Sequence, residues 1–217
     1  MYEGIRKVCF SILGNRESTI PARLVLLGRV IEAIQNAKNN NLPINFDSIS
    51  IHFELKDLNV KRDIEYSYSI QEKIVDYFKE HSESIKDCSE QAINYFNQGN
   101  VLDNYIKGKS KLKSLFPNIE IMFEKMLINH LYFKQFPFTN KSKTLWEEYI
   151  SICGVYLFIK YLAIGYMASK DTMNDFVDVM SAAFRLIDHT NFNRNISIIL
   201  ESEKITEIEQ LAVLIYA

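Results

Sequence analysis

The chain has 217 residues, of which 47% are hydrophobic and 24% are charged. This balance is typical of a folded globular protein and excludes a disordered or fibrous chain. The length is sufficient for one large helical domain, or two small ones, with a buried core. A formal net charge of −2 gives no long-range attraction to phosphates or anionic lipids, so we expect neither nucleic acid nor a membrane as a partner.

Apolar residues recur along most of the chain at the three- and four-residue spacing of amphipathic helices. The first clear stripe consists of Ile20, Leu24, Leu27, Ile31 and Ile34. Ser18 or Thr19 is suited to cap this helix, and Pro21 is tolerated in its first turn. The asparagines at 39–41 and Pro43 predict where it ends.

Further helical stripes follow towards the end of the chain. In order, they are Ile70, Ile74 and Tyr77; Ile119, Met122, Met126 and Phe133; Phe176, Met180, Ala183 and Ile187; Phe192, Ile196 and Ile199; and Ile205, Ile208 and either Leu211 or Ala212. Residues 49–55 instead alternate as a strand does, but no second alternating segment could pair with them, so we predict a short helix there. The pattern predicts an all-α, multi-helix bundle of about eight to eleven helices with little or no sheet.

We expect residues 1–217 to form a single helical domain, and the glycine- and lysine-containing stretch 99–113 is the best candidate for a seam within it.

Residues 149–168 are long enough to span a membrane, but Lys160 in their middle favours a buried bundle helix. On that helix, Gly154 and Gly165 fall on one face and would allow a neighbouring helix to approach closely.

The cysteine pattern indicates a reducing compartment. Cys9, Cys88 and Cys153 lie too far apart for a disulfide framework or a zinc-binding CxxC pair. Charged residues interrupt the N-terminal segment, which therefore does not resemble a signal peptide. We predict free thiols and a cytoplasmic protein.

Tyr156 and Lys160 have the Y-x-x-x-K spacing of short-chain dehydrogenases. Those enzymes also need a glycine-rich turn after a first strand and a parallel sheet, and the sequence shows neither pattern. We therefore reject that function and retain a polar pair one turn apart on an apolar helix. The alternative is a lysine that reaches the surface beside a packed tyrosine.

Arg185 and His189 lie four residues apart near the end of a predicted helix. The helix dipole stabilises a cationic histidine there, and an arginine one turn earlier is suited to bind a carboxylate or phosphate. The alternative is a solvated helix end whose histidine caps carbonyl groups. Together with Tyr156 and Lys160, these residues are our candidates for one cleft facing substrate or cofactor.

No catalytic residue is assigned from the sequence. Asp188 and His189 reverse the His-Asp order of metal-dependent phosphohydrolases, and nothing elsewhere completes a ligand set, so we predict no metal site. His130 shares an apolar face with Phe123 and Met126 and is interpreted as a core histidine without a functional role.

Four segments resemble, in the same order, blocks of the helical C-terminal region of bacterial flagellin lysine-N-methylases. They are ILGNRESTIPARLVLLG (12–28), FEKMLINHLYFKQFPF (123–138), YISICGVYLFIKYLAI (149–164) and FRLIDH (184–189). The resemblance implies methyl transfer from S-adenosylmethionine to lysines of flagellin in the cytoplasm. It also implies a cysteine-rich N-terminal half that holds an iron–sulfur cluster. This chain has no such half, so we expect it to be the C-terminal part of a longer protein and to hold no cluster itself.

On this basis the expected role is substrate recognition or scaffolding within a lysine methyltransferase, with the chain alone inactive. Its expected partners are flagellin and the protein's own N-terminal cysteine-rich domain. The alternative is a non-enzymatic helical module that binds a partner helix in an apolar groove, since such a module would show the same amphipathic stripes.

Overall fold

The computed structural model describes residues 2–44, 46, 63–137 and 144–217. These residues form ten α-helices and no strand. The helices are α1 (Tyr2–Gly14), α2 (Ile20–Asn39), α3 (Ile64–His81), α4 (Glu83–Phe96), α5 (Val101–Leu115), α6 (Ile119–Phe133), α7 (Leu145–Met167), α8 (Met173–His189), α9 (Phe192–Ser202) and α10 (Ile208–Tyr216). The predicted all-α bundle is confirmed.

Helix α7 is the centre of the bundle. Its apolar residues continue around the whole helix, which is the pattern of a helix covered on all sides. Helices α2 to α6 and α8 to α10 all contact it. Among the described residues, α7 is the one helix long and apolar enough to cross a membrane, but its most apolar window is entirely buried within the bundle. The prediction of a buried bundle helix at this segment is confirmed.

Two glycines of α7 permit close helix packing, as predicted, but they face different helices. A Cβ atom at Gly154 would collide with the Ile196 side chain of α9. At Gly165 it would lie 2.7 Å from the Cβ atom of Ala92 on α4 and 2.9 Å from that residue's Cα atom. Because an atom cannot approach this closely without displacing the neighbour, these positions bring α9 and α4 against the core helix.

The helix ends follow from short polar residues. Thr19 caps α2 by accepting a hydrogen bond from the backbone N–H of Ala22. Thr144 and Thr172 begin α7 and α8 with reciprocal capping boxes. The predicted stripes all fall on helices, except that Ile205 precedes the start of α10.

The three cysteines are free, as predicted. The predicted short helix at 49–55 lies outside the described residues. The seam at 99–113 stays a prediction; within that stretch, α5 begins at Val101 and packs against α7.

Candidate functional site

A cavity of about 160 Å³ lies between α5, α6, α7 and the end of α10. Its walls are mostly apolar, and two of the predicted site residues, Tyr156 and Lys160, line it from α7. Lys109 and Lys113 of α5 and Glu120 of α6 line it as well. The cavity therefore combines an apolar interior with charged groups of both signs.

Lys160 does not reach the surface, since only 4% of the residue is exposed. Its Nζ atom donates to the main-chain carbonyl oxygens of Ala217 at 3.0 Å and Ile215 at 3.4 Å. The ammonium group also lies 5.5 Å from the ring centre of Tyr156 and 5.8 Å from that of Tyr105. The surface-reaching alternative is therefore wrong, because the surrounding helices bury this part of α7 and the end of α10 supplies acceptors.

Tyr156 is buried, and its ring packs edge-on against Phe123 at a centroid distance of 6.0 Å. Burial raises the pKa of its hydroxyl well above the ordinary value, and the nearby carboxylate of Glu120 raises it further. The hydroxyl is therefore neutral at physiological pH. The Tyr156–Lys160 pair does not create the acidic tyrosine that the dehydrogenase chemistry requires.

Arg185 and His189 lie outside this cavity. Both are exposed on α8, and neither is among the residues that line it. The reason is that α8 buries its apolar stripe, including Val179 and Ala183, and leaves these two polar residues on other faces. The structure thus brings Tyr156 and Lys160 together but not the set of four, and a functional role for the four residues stays a prediction.

The carbonyl groups at the end of α8 are bonded by residues other than His189. Thr190 Oγ1 donates to the carbonyl oxygen of Leu186 at 2.7 Å. Lys134 Nζ, at the end of α6, donates to the carbonyl oxygens of Ile187 and Asp188 at 3.4 Å each. A lysine from a neighbouring helix therefore interacts with the negative end of the α8 dipole.

A buried histidine and a carboxylate meet at the same place. His130 Nδ1 lies 3.7 Å from Asp188 Oδ1, and Lys134 Nζ lies 3.6 Å from the same oxygen. Burial raises the pKa of Asp188, but the adjacent His130 and Lys134 outweigh it, so the pKa lies below its ordinary value. Asp188 is therefore ionised at neutral pH. His130 is buried, as expected of the core histidine predicted from the sequence, and Asp188 is the neighbour that the sequence did not reveal.

A buried ion pair joins α2 to α6. The Glu124 carboxylate accepts from Arg23 Nη1 at 2.8 Å and from both Nε and Nη2 of Arg16. Arg23 also donates to the carbonyl oxygens of Ser18 and Leu13. This network fixes the connection between α1 and α2 against α6.

Sequence periodicity did not reveal these contacts, because the paired residues are about a hundred or about sixty positions apart. A signal was nevertheless present in the resembling segments. Glu124 and His130 belong to segment 123–138, while their partners Arg23 and Asp188 belong to segments 12–28 and 184–189. The segments that resemble the family thus contact one another in the fold.

A third feature is an open groove of about 300 Å³ between α6 and α8. Met122 and Met126 line it from α6, and Val177, Met180 and Phe184 line it from α8. The lining is almost entirely apolar. Methionine side chains are flexible and polarisable, which suits a surface that adapts to another molecule.

These features define an all-α domain organised around one buried helix, with a small cavity and an exposed apolar groove. The chain belongs to the family of FliB lysine N-methylase C-terminal domains, whose model matches residues 6–214. The resemblance seen in the sequence is therefore confirmed. No curated protein and no solved structure matches the chain.

Membership of a lysine N-methylase family raises the question of whether this domain can hold S-adenosylmethionine. Pockets for ligands of that size enclose about 300–1,000 Å³, whereas the cavity at Tyr156 encloses about 160 Å³. The cavity does not fit the whole cofactor. Among the described residues, no group of three or more His, Cys, Asp or Glu side chains is arranged to bind a metal.

Proposed function

We propose that this domain serves a cytoplasmic lysine N-methylase that transfers methyl groups from S-adenosylmethionine to flagellin, and that its own part is substrate recognition or scaffolding. The observation that carries the proposal is the family match, which extends over residues 6–214. It covers nearly every element of the bundle, so the likeness concerns the whole fold.

The polar groups of the domain support a recognition or scaffold role rather than chemistry. Methyl transfer to lysine requires a neutral amine aligned with the donor methyl group, which a positioned base or a desolvated pocket provides. Glu124 and Asp188 are both engaged with cations of the chain. Tyr156 is held neutral by burial. None of these three is positioned as a free base beside a cofactor-sized pocket.

We propose that the donor site and an iron–sulfur cluster reside in the cysteine-rich N-terminal domain that the family resemblance implies. Four thiolates typically hold such a cluster. In this chain burial raises the pKa of Cys9 and of Cys153 to about 12, so both remain protonated thiols. That chemistry suits core packing and not cluster binding.

The proposal is tested by transfer of labelled methyl from S-adenosylmethionine to purified flagellin. The assay compares this chain with a form extended at its N-terminus by the cysteine-rich segment. We expect turnover by the extended form and only background transfer by the chain alone, because alignment alone accounts for about 7–11 kcal/mol of such a barrier. Comparable turnover by the two forms would contradict this division of roles.

A second candidate function is that of a non-enzymatic module that binds a partner helix. The α6–α8 groove favours it, because amphipathic helices dock into apolar grooves of this kind. The two candidate functions predict different results in the methyl-transfer assay. A module without an enzymatic role would bind a helical partner but would support no transfer when joined to the cysteine-rich segment.

A further inference from the structure

The cavity between α5, α6 and α7 contains a buried hydroxyl group without a partner. Tyr156 lines the cavity from α7, and only 3% of the residue is exposed. Among the described residues, no hydrogen bond joins its hydroxyl to another group. Nor is this oxygen sealed off by packing, in contrast to the hydroxyl of Tyr161 on the same helix. A buried polar group of this kind needs a partner, because leaving it unbonded is costly.

The Tyr156 hydroxyl lies towards the α6 wall of the cavity. Burial raises the pKa of this hydroxyl, and the charge of Glu120 on α6 raises it further, so the two groups are close neighbours. Glu120 itself lines the cavity. A molecule in the cavity would therefore reach the hydroxyl of Tyr156 directly.

The cavity has the size of a small organic molecule. It encloses about 160 Å³, and an engineered protein cavity of about 150 Å³ binds benzene. Leu112, Phe123 and Ile164 provide apolar walls, and all three are buried. Such walls favour an apolar body over water. A single six-membered ring therefore matches both the volume and the lining.

The charged groups around the cavity are of both signs. Lys160 and Lys109 both donate to the carbonyl oxygen of Ala217, at 3.0 Å and 3.4 Å. Lys113 and Glu120 also line the cavity and carry opposite charges. A charged ligand would meet a group of its own sign whichever charge it carried, and burying a charge without a partner is costly. The cavity consequently favours a neutral ligand.

The cavity is accessible from outside the bundle. Lys113, Pro117 and Glu120 belong to its lining and are exposed, so they form its rim. Tyr156 and Phe123 are buried and form its floor. A ligand would thus enter where α5 connects to α6, with its polar group directed towards Tyr156.

We infer that this cavity binds a neutral molecule of one six-membered ring that carries a hydroxyl group, of which phenol is the simplest example. Its ring packs against Leu112 and Phe123, and its hydroxyl forms a hydrogen bond with that of Tyr156. Two sources share this chemistry, namely a free small molecule and a tyrosine side chain of a bound protein. The inference goes beyond the recognition role proposed above and does not depend on the family match.

The test measures the binding of phenol to the full, isotope-labelled chain by changes in the chemical shifts of its backbone amides. Toluene is the matched probe without a hydroxyl group, and benzoate and benzylamine are the charged probes. The shifts also locate the bound ring, because Leu112, Phe123 and Ile164 line the cavity whereas no residue of α3 or α9 does.

We expect saturable binding of phenol with the largest shifts at the cavity residues. Benzoate and benzylamine should bind at least about tenfold more weakly, since each buries a charge. Tyr156→Phe should weaken phenol about fivefold and leave toluene unchanged, because only phenol loses a hydrogen bond. The matched control is Tyr161→Phe, a buried residue of the same helix that does not line the cavity, and it should change neither affinity.

A second variant, Leu112→Trp, fills the cavity and should abolish phenol binding. Circular dichroism verifies that the variants are folded, and if Leu112→Trp is not, the comparison of Tyr156→Phe with Tyr161→Phe decides. Absence of saturable phenol binding would mean that water alone bonds the Tyr156 hydroxyl, and it overturns the inference. Shifts confined to α3 or α9, tighter binding of a charged probe, or equal affinity of phenol for Tyr156→Phe and the unmodified chain also overturn it.

A competition experiment separates the two sources of the ring. Bound para-fluorophenol is observed by fluorine NMR while purified flagellin is added. Displacement would assign the ring to a tyrosine side chain of flagellin, and retention would assign it to a free molecule. If flagellin does not bind the chain at all, the proposed recognition role fails while the inference about the cavity stands.

Discussion

The carboxylate of Glu124 on α6 and the guanidinium of Arg23 on α2 form a 2.8 Å ion pair, with only 3% and 5% of the two residues exposed. Taking two charges out of water is costly, and their mutual attraction offsets that cost only while both are present. The pair is further bonded to Arg16 and to the carbonyl oxygens of Leu13 and Ser18. The carboxylate of Glu124 therefore holds together α6, α2 and the connection between α1 and α2.

Replacing Glu124 with glutamine is expected to lower the free energy of unfolding by about 3 kcal/mol, because Arg23 remains buried without a counter-charge. The matched control is Arg16→Gln. The Arg16 side chain is 54% exposed, so its loss is expected to lower the free energy of unfolding much less, because water screens its charge. Urea denaturation measures both. Equal destabilisation by the two variants would contradict a dominant role for the buried pair.

The same carboxylate is expected to make the fold sensitive to acid. Hydrogen bonds from Arg16 and then from Arg23 hold the pKa of Glu124 below its ordinary value of 4.5, and Asp188 is likewise lowered from 3.8. A lowered folded-state pKa contributes stability that is present above the ordinary value and is lost as the pH falls through the folded value. Denaturation midpoints between about pH 6 and pH 3 should therefore fall more steeply for the unmodified chain than for Glu124→Gln. Parallel pH profiles would show that Glu124 does not contribute to the acid sensitivity.

Helical periodicity predicted the fold well because nearly every helix buries one apolar stripe. It placed α2, α6 and α8, and Lys160 in the middle of α7 identified that helix as a buried bundle helix and not a membrane span. Turn residues such as Thr19 and Pro21 also located the start of α2 correctly. Local signals of this kind depend on neighbouring residues and are therefore readable from sequence.

Gly165 of α7 is expected to tolerate no side chain. An alanine Cβ there would lie 2.9 Å from the backbone Cα atom of Ala92, which cannot rotate away. Overpacking of this kind typically costs about 1–3 kcal/mol. The control is Gly14→Ala at the end of α1, where nothing lies within 4 Å of the added atom. Thermal unfolding that is unaffected by Gly165→Ala would disprove the close contact between α4 and α7.

The candidate site was less predictable, because it depends on contacts between distant segments. Tyr156 and Lys160 do share a cavity, since residues four apart lie on one helix face. Arg185 was grouped with them only by residue type, and periodicity does not say which neighbour each face of α8 meets. The pairing of His130 with Asp188 was missed for the same reason.

The three thiols are expected to differ in reactivity. Burial raises the pKa of Cys9 and Cys153 to about 12, while Cys88 is only half-buried. The thiolate is the reactive form, so iodoacetamide should label Cys88 first in the folded chain and all three residues after unfolding. Peptide mapping by mass spectrometry identifies the labelled positions. Rapid labelling of Cys153 in the folded chain would show that α7 is not enclosed as described.

We propose that this domain recognises flagellin and does not bind the cofactor by itself. The most direct measurement is isothermal titration calorimetry of the full chain with purified flagellin and, separately, with S-adenosylmethionine. We predict saturable binding of flagellin without the cofactor and no binding of S-adenosylmethionine to the chain alone. Tight binding of S-adenosylmethionine together with no binding of flagellin would contradict the proposed recognition role.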